Sequence, residues 1–122
     1  MDSLTLLKSI TNPTKLRLVA LLLHGELCVC ELEEITGIRQ VNISKNLLSL
    51  KDAGVVDVRR DAQRGFYYLC DDFLDQTHFV SHIRSLIDLE PQLVQDQKAL
   101  EEHDRVKGDR TYVCAAYKDE VK

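Results

Sequence analysis

Apolar positions divide this chain into short amphipathic helices, interrupted once by two strand-like runs. Asp2 to Ser9 reads as a short helix with Leu4, Leu6 and Leu7 apolar. Thr11-Asn12-Pro13 stops and restarts the chain, since Asn12 suits an N-cap and Pro13 the first helical position. Thr14 to His24 is apolar nearly all round, which predicts a buried helix ending at Gly25. Cys30 to Thr36 forms a further short helix, with Leu32 and Ile35 inward and Glu31, Glu33 and Glu34 beside its N-terminal dipole. Gly37 ends it. A second helix then runs from about Arg39 to Ala53, its seam being Ile43, Leu47 and Leu50. Arg39 stands where an N-cap side chain is expected, which leaves Gly37 and Ile38 to set the turn.

Two helices joined by a glycine-containing turn are the helix–turn–helix pattern. Val55 to Arg60 and Phe66 to Cys70 are rich in β-branched and aromatic residues. Between them, Asp61-Ala62-Gln63-Arg64-Gly65 predicts a hairpin loop with Gly65 at the positive-φ position. A helix–turn–helix followed at once by a basic hairpin is a winged helix. Asp71 or Asp72 is placed to cap a helix from Phe73 to Leu89, with Phe79, Val80, Ile83, Leu86 and Ile87 on one side. Glu90-Pro91 breaks it, and another helix follows to about His103. The polar tail after Asp104 is interrupted by an apolar island from Tyr112 to Tyr117, which suggests that it docks. The fold class expected is mainly α with a β-hairpin, a winged helix–turn–helix in one domain spanning 1–122.

Composition modifies this picture little: 44% hydrophobic and 30% charged residues in 122 is ordinary for one globular domain. No apolar stretch is long enough to span a membrane. Met1-Asp2-Ser3 lacks the basic start of a signal peptide, so a cytoplasmic location is expected. Net charge is −4, which alone argues against nucleic acid, but the distribution is uneven. From Arg39 to Arg64 there are six basic and three acidic residues, or +3; the rest has ten basic and seventeen acidic, or −7. A basic segment on an acidic body directs DNA to one face. On the second helix, Gln40, Asn42, Ser44, Lys45 and Asn46 are expected to face base edges, with Arg39 and Lys51 on phosphate. Arg59, Arg60 and Arg64 of the hairpin are expected to reach flanking backbone or minor groove.

The four cysteines, Cys28, Cys30, Cys70 and Cys114, are expected to be reduced in the cytosol. Cys28-Val29-Cys30 stands at the entry to the helix–turn–helix. On a regular helix, positions i and i+2 lie about 200° apart, so gripping one ion requires an open or extended helix start. Soft thiolates favour soft metals and metalloids. Arsenite-like species want three thiolates, and Cys114, in its apolar island, is the best third candidate. Cys70, at the end of a strand, fits a buried small hydrophobe. His78 and His82, spaced i, i+4 with Asp75 one turn earlier, allow a second metal site; plain surface histidines are the competing reading.

Several stretches together resemble the ArsR/SmtB family of bacterial winged-helix repressors: Asn12 to Leu18, Gly25 to Leu32, Ser44 to Leu50, Ala53 to Val56, Arg59-Arg60 and Phe66 to Leu69. The resemblance covers about residues 4–70. It implies a homodimer on double-stranded operator DNA, with residues 1–12 and 72–103 as dimerisation helices. Residues 30–53 are then the helix–turn–helix, 55–70 the wing and 104–122 a C-terminal tail. It further implies a repressor released by an inducer, here As(III) or Sb(III) at Cys28, Cys30 and Cys114. Arsenic-responsive members often carry a third cysteine where this chain has Glu33. The zinc-type site after the wing needs Asp and His where this chain has Asp71 and Phe73. Glu31 to Glu33 and Gly37 to Gln40 also resemble a branch that senses reactive sulfur through two cysteines. Its second cysteine has no counterpart in Ser85 to Leu89. A thiol-redox or reactive-sulfur sensor is therefore the alternative. A thiol oxidoreductase is disfavoured, because there is no Cys-x-x-Cys and acidic neighbours are expected to raise the thiol pKa. No hydrolytic triad or phosphate-binding glycine loop is present, so the chain is not expected to be an enzyme.

Overall fold

A computed structural model describes residues 1–107. The elements are α1 (Ser3–Lys8), α2 (Pro13–Leu22), β1 (Leu27–Cys28), α3 (Val29–Thr36), α4 (Gln40–Asp52), β2 (Val56–Asp61), β3 (Arg64–Leu69), α5 (Asp71–Leu74), α6 (Thr77–Leu89) and α7 (Pro91–Lys107). The winged helix–turn–helix is present, α3 and α4 being the paired helices and β2–β3 the wing.

Asn12 caps α2 as its sequence suggests: Oδ1 accepts the N–H groups of Thr14 at 2.8 Å and Lys15 at 3.3 Å. Asp2 does the same for α1 through Thr5. Leu18, Val19, Ala20 and Leu21 of α2 are fully buried, and this helix packs on α4, α6, α7 and β3. The seam of α4, Ile43, Leu47 and Leu50, meets it in one core with Leu32, Val55, Phe73, Ile83 and Leu93. Asp96 of α7 is buried with Arg17 of α2 across it, at 2.8 and 2.9 Å in a bidentate pair. The same guanidinium donates to the Thr36 carbonyl, at the C-terminus of α3, at 3.1 Å. One side chain thus ties α2, α3 and α7, and buried ion pairs of this geometry need all their partners.

The sheet has an element absent from the expectation. Leu27–Cys28 pairs antiparallel with β3, through Leu27↔Tyr67 and Cys28↔Phe66, giving the order β1-β3-β2. The hairpin register runs from Val56↔Leu69 to Asp61↔Arg64, so its turn is the two residues Ala62 and Gln63. Positive φ falls on Ala62 (56°), not on Gly65 as expected. Gly65 instead sits inside β3 opposite Arg60, where an added Cβ would stand 2.7 Å from the Arg60 guanidinium.

The expected single helix from Phe73 to Leu89 is two, parted at Asp75 and Gln76. On one continuous helix Phe73 and Phe79 would point about 120° apart. The break lets both rings meet edge to face at 6.0 Å, with Phe73 fully buried. Cys70 holds the N-cap position of α5, while Asp71 and Asp72 lie in its first turn and do not cap it. The last helix runs past the expected end at His103, as far as Lys107.

Candidate thiol and nucleic-acid site

Cys28 ends β1 and is the N-cap of α3, with extended backbone (φ −87°, ψ 166°). Cys30 is the second residue of the helix. The extended helix start that a shared ion was expected to require is therefore present. Because Cys28 is already extended, the two sulfurs lie 2.9 Å apart with the helix start intact. Both side chains are buried.

The cap itself is reciprocal. Cys28 Sγ accepts the Glu31 N–H, and Glu31 Oε1 accepts the Cys28 N–H at 3.1 Å. This is a capping box with a thiol in place of the usual hydroxyl. The contact with Cys30, aided by the Glu31 N–H, lowers the Cys28 thiol below its ordinary pKa, against burial and the Glu31 charge. The Glu31 carboxylate raises the thiol as expected of an acidic neighbour, but the hydrogen bonds outweigh it and the net direction is downward.

Glu31 is itself fully buried, and its Oε2 lies 2.7 Å from His103 Nε2 on α7. His103 Nδ1 is 3.6 Å from Glu34 Oε2. Glu31 was expected only to complement the helix dipole, and no role was expected for His103. The signal was the spacing Cys28-x-x-Glu31, which fits the capping-box pattern once Cys is admitted as a cap.

Cys70 is half-buried rather than buried, and its thiol is pushed up by burial and by Asp57, Asp72 and Asp71. It stands four residues beyond Phe66, the partner of Cys28, or about 13 Å along the strand. Cys114 lies outside the described residues. Among the described residues no group of three His, Cys, Asp or Glu is placed to hold a metal ion. His78 and His82 are exposed on α6, beside an apolar groove formed with Leu6, Leu7 and Ile10.

On α4, Asn42, Ser44 and Lys45 are exposed, Gln40 is half-buried, and Arg39 and Lys51 are exposed at the two ends. Asn46 is not on that face. It is buried, and its Nδ2 donates to the Asn42 carbonyl at 2.8 Å and Oδ1 at 3.0 Å. Val41, absent from the expected set, is 83% exposed between Gln40 and Asn42. The turn is not set by Gly37 and Ile38 alone. Gly37 supplies the left-handed residue (φ 76°), Thr36 Oγ1 accepts the Ile38 N–H at 3.1 Å, and Glu33 Oε2 accepts the Gln40 N–H at 2.8 Å.

On the wing, Arg60 and Arg64 flank the turn on opposite strands. Arg59 is held back from it: its guanidinium pairs with Glu26 and stacks on Phe66, 4.8 Å from the ring centre.

A family model described as "Bacterial regulatory protein, arsR family" matches residues 12–58. The "Arsenical resistance operon repressor" of Staphylococcus xylosus is 37% identical over 71 residues, 58% of this chain and 68% of that protein. The chain belongs to the arsR family of bacterial regulatory proteins. This is a family of DNA-binding regulators, not of enzymes. The "Biofilm growth-associated repressor" of Agrobacterium fabrum is 45% identical over 67 residues, 55% of this chain; the match spans only 57% of that relative's length. Among solved structures, HlyU from Vibrio cholerae superposes with a TM-score of 0.61 at 32% identity, covering 72% of this chain and 90% of that one. Among the described residues no helix is long and apolar enough to cross a membrane.

Proposed function

We propose that this arsR-family chain is a cytoplasmic repressor that binds operator DNA as a homodimer and releases it when a thiophilic inducer, As(III) or Sb(III), binds Cys28 and Cys30. The observation that carries the reading is the 2.9 Å separation of the two sulfurs at the cap of the helix that leads the helix–turn–helix. Two soft donors preset at one point suit a soft metalloid. Cys114 is the proposed third donor. The DNA face consists of Gln40, Asn42, Ser44 and Lys45 on base edges, with Val41 suited to a thymine methyl. Arg39, Lys51, Arg60 and Arg64 take phosphate. Exposed Leu4 and Leu7 of α1, beside the groove against α6, support these helices as the dimer face.

The test is fluorescence anisotropy with a duplex covering the DNA upstream of the chain's own reading frame. Arsenite is expected to release the wild-type chain. A Cys28→Ser, Cys30→Ser chain is expected to bind the duplex and stay bound. Release of that double variant by arsenite removes the pair from the reading.

A second reading, a repressor triggered by thiol oxidants or reactive sulfur, is favoured by one observation. The Cys28 thiol is lowered below its ordinary value, which enriches the nucleophilic thiolate. Persulfide treatment followed by mass spectrometry separates the two, since a disulfide or polysulfide between cysteines forms only in this second case.

A further inference from the structure

Cys28 and Cys30 do not lie behind the DNA-reading elements. They line one cleft of about 290 Å³ together with Gln40, Ser44, Arg60 and Arg64. The cleft joins four elements: the cap of α3, the first two turns of α4 and the two strands flanking the wing turn. All four of these polar residues belong to the DNA face proposed above, so the inference rests on that reading. The cleft is close to ten water volumes, at about 30 Å³ each. A phosphate group or a small adduct takes up only part of it, so the two meet through shared position and charge rather than through lack of room.

From this juxtaposition we propose that the thiol pair and a DNA phosphate compete for the same cleft, so that an inducer on Cys28 and Cys30 expels DNA by occupying its phosphate position. Arg60 and Arg64 supply positive charge on the wing side, and Gln40 and Ser44 of α4 supply hydrogen-bonding side chains on the other. A group bound to the sulfurs projects into the cleft that these residues line. An anionic group there also neutralises the charge that attracts phosphate. No movement of α4 is required. The coupling is reciprocal, as linkage demands: DNA in the cleft shields the sulfurs from whatever attacks them.

Two measurements on the full chain test this. In the first, wild-type protein is alkylated with iodoacetamide with and without the upstream duplex, and each cysteine is followed by mass spectrometry. With duplex at ten times its Kd, Cys28 and Cys30 are expected to slow about tenfold, by the factor 1 + [DNA]/Kd. Cys70, outside the cleft, is expected to keep its rate. In the second, Cys28 or Cys30 is left alone in a chain with its three other cysteines changed to Ser. It is then converted either to the carbamidomethyl or to the carboxymethyl form. These adducts have nearly the same shape and differ by one charge. The anionic adduct is expected to weaken DNA binding at least about tenfold more than the neutral one.

Unchanged alkylation rates in the DNA complex, with equal effects of the two adducts, overturn the shared cleft. If arsenite still releases DNA in that case, the proposed function stands and its signal passes through the helices. Failure of the unmodified chain to bind any duplex overturns the proposed function and this inference together.

Discussion

Glu33 Oε2 accepts the backbone N–H of Gln40, the first residue of α4, at 2.8 Å. The carboxylate does for α4 what Arg39 at its N-cap position does not: it satisfies an orphan donor and faces the positive end of the helix dipole. The position at which arsenic-responsive members of the family often carry a third thiol is here a brace between the two helices of the DNA-reading motif. Glu33→Ala is expected to lower stability by about 1–2 kcal/mol, the range of a lost helix cap. Glu33→Gln, which keeps an acceptor oxygen but not the charge, is expected to lose less. Urea denaturation of the two variants checks the order; equal losses count against the hydrogen bond as the cause.

Glu31 and His103 form a second such tie, between the thiol cap and α7. Removing His103 leaves a buried carboxylate without its 2.7 Å partner. His103→Ala is expected to cost about 3 kcal/mol, as for one broken member of a buried pair. Glu31→Gln is expected to be milder, because an amide oxygen still accepts the Cys28 N–H and leaves no buried charge. Thermal unfolding of both variants decides it; a His103→Ala chain as stable as wild type shows that the contact carries no stability.

Elements with a local cause were legible in the sequence. The Asn12-Pro13 start of α2, the Ile43–Leu47–Leu50 seam and the basic hairpin all follow from neighbours close along the chain. What was not legible depends on partners far away. The strand Leu27–Cys28 is two residues long and exists only because β3 pairs with it. That pairing extends Cys28 and brings the sulfurs together; the spacing required an extended start but did not show what would hold it. The break at Asp75 and Gln76 reflects the meeting of Phe73 with Phe79, which no periodicity announces. Asn46 is polar but lies on the buried side of α4, three residues after Ile43 and next to Leu47, with its amide donating to Asn42.

The cysteines are expected to differ in their response to pH. Cys28 is lowered by its hydrogen bonds with Cys30 and the Glu31 N–H, while Cys70 is raised by burial and three aspartates. Alkylation by iodoacetamide is therefore expected to switch on at lower pH for Cys28 than for Cys70. The stability consequences have opposite signs. Folding favours the Cys28 thiolate, so its contribution is present above the unfolded thiol pKa and is lost as pH falls through the lower folded value. Folding favours the neutral Cys70 thiol, so its contribution is present below the unfolded pKa and is lost as pH rises through the higher folded value. Cys28→Ser is expected to remove the first dependence and Cys70→Ser the second. Coincident alkylation midpoints for the two thiols contradict this ordering.

Neighbours on α4 are expected to separate cleanly into DNA contact and scaffold. Lys45 is exposed, and Asn46, the next residue, is buried with both amide hydrogen bonds directed to Asn42. Lys45→Ala is expected to leave unfolding unchanged and to weaken duplex binding. If Lys45 lies on phosphate, the slope of log K against log salt falls by about 1; if it reads guanine, the loss is confined to specific sites. Asn46→Ala is expected to do the reverse, costing about 1 kcal/mol in stability through its lost hydrogen bonds while the salt slope stays at the wild-type value. Anisotropy across a salt series, paired with urea denaturation of the same samples, reads both quantities. A flattened salt slope in Asn46→Ala would put that side chain back on the DNA face and require the bonds to Asn42 to open when the duplex binds.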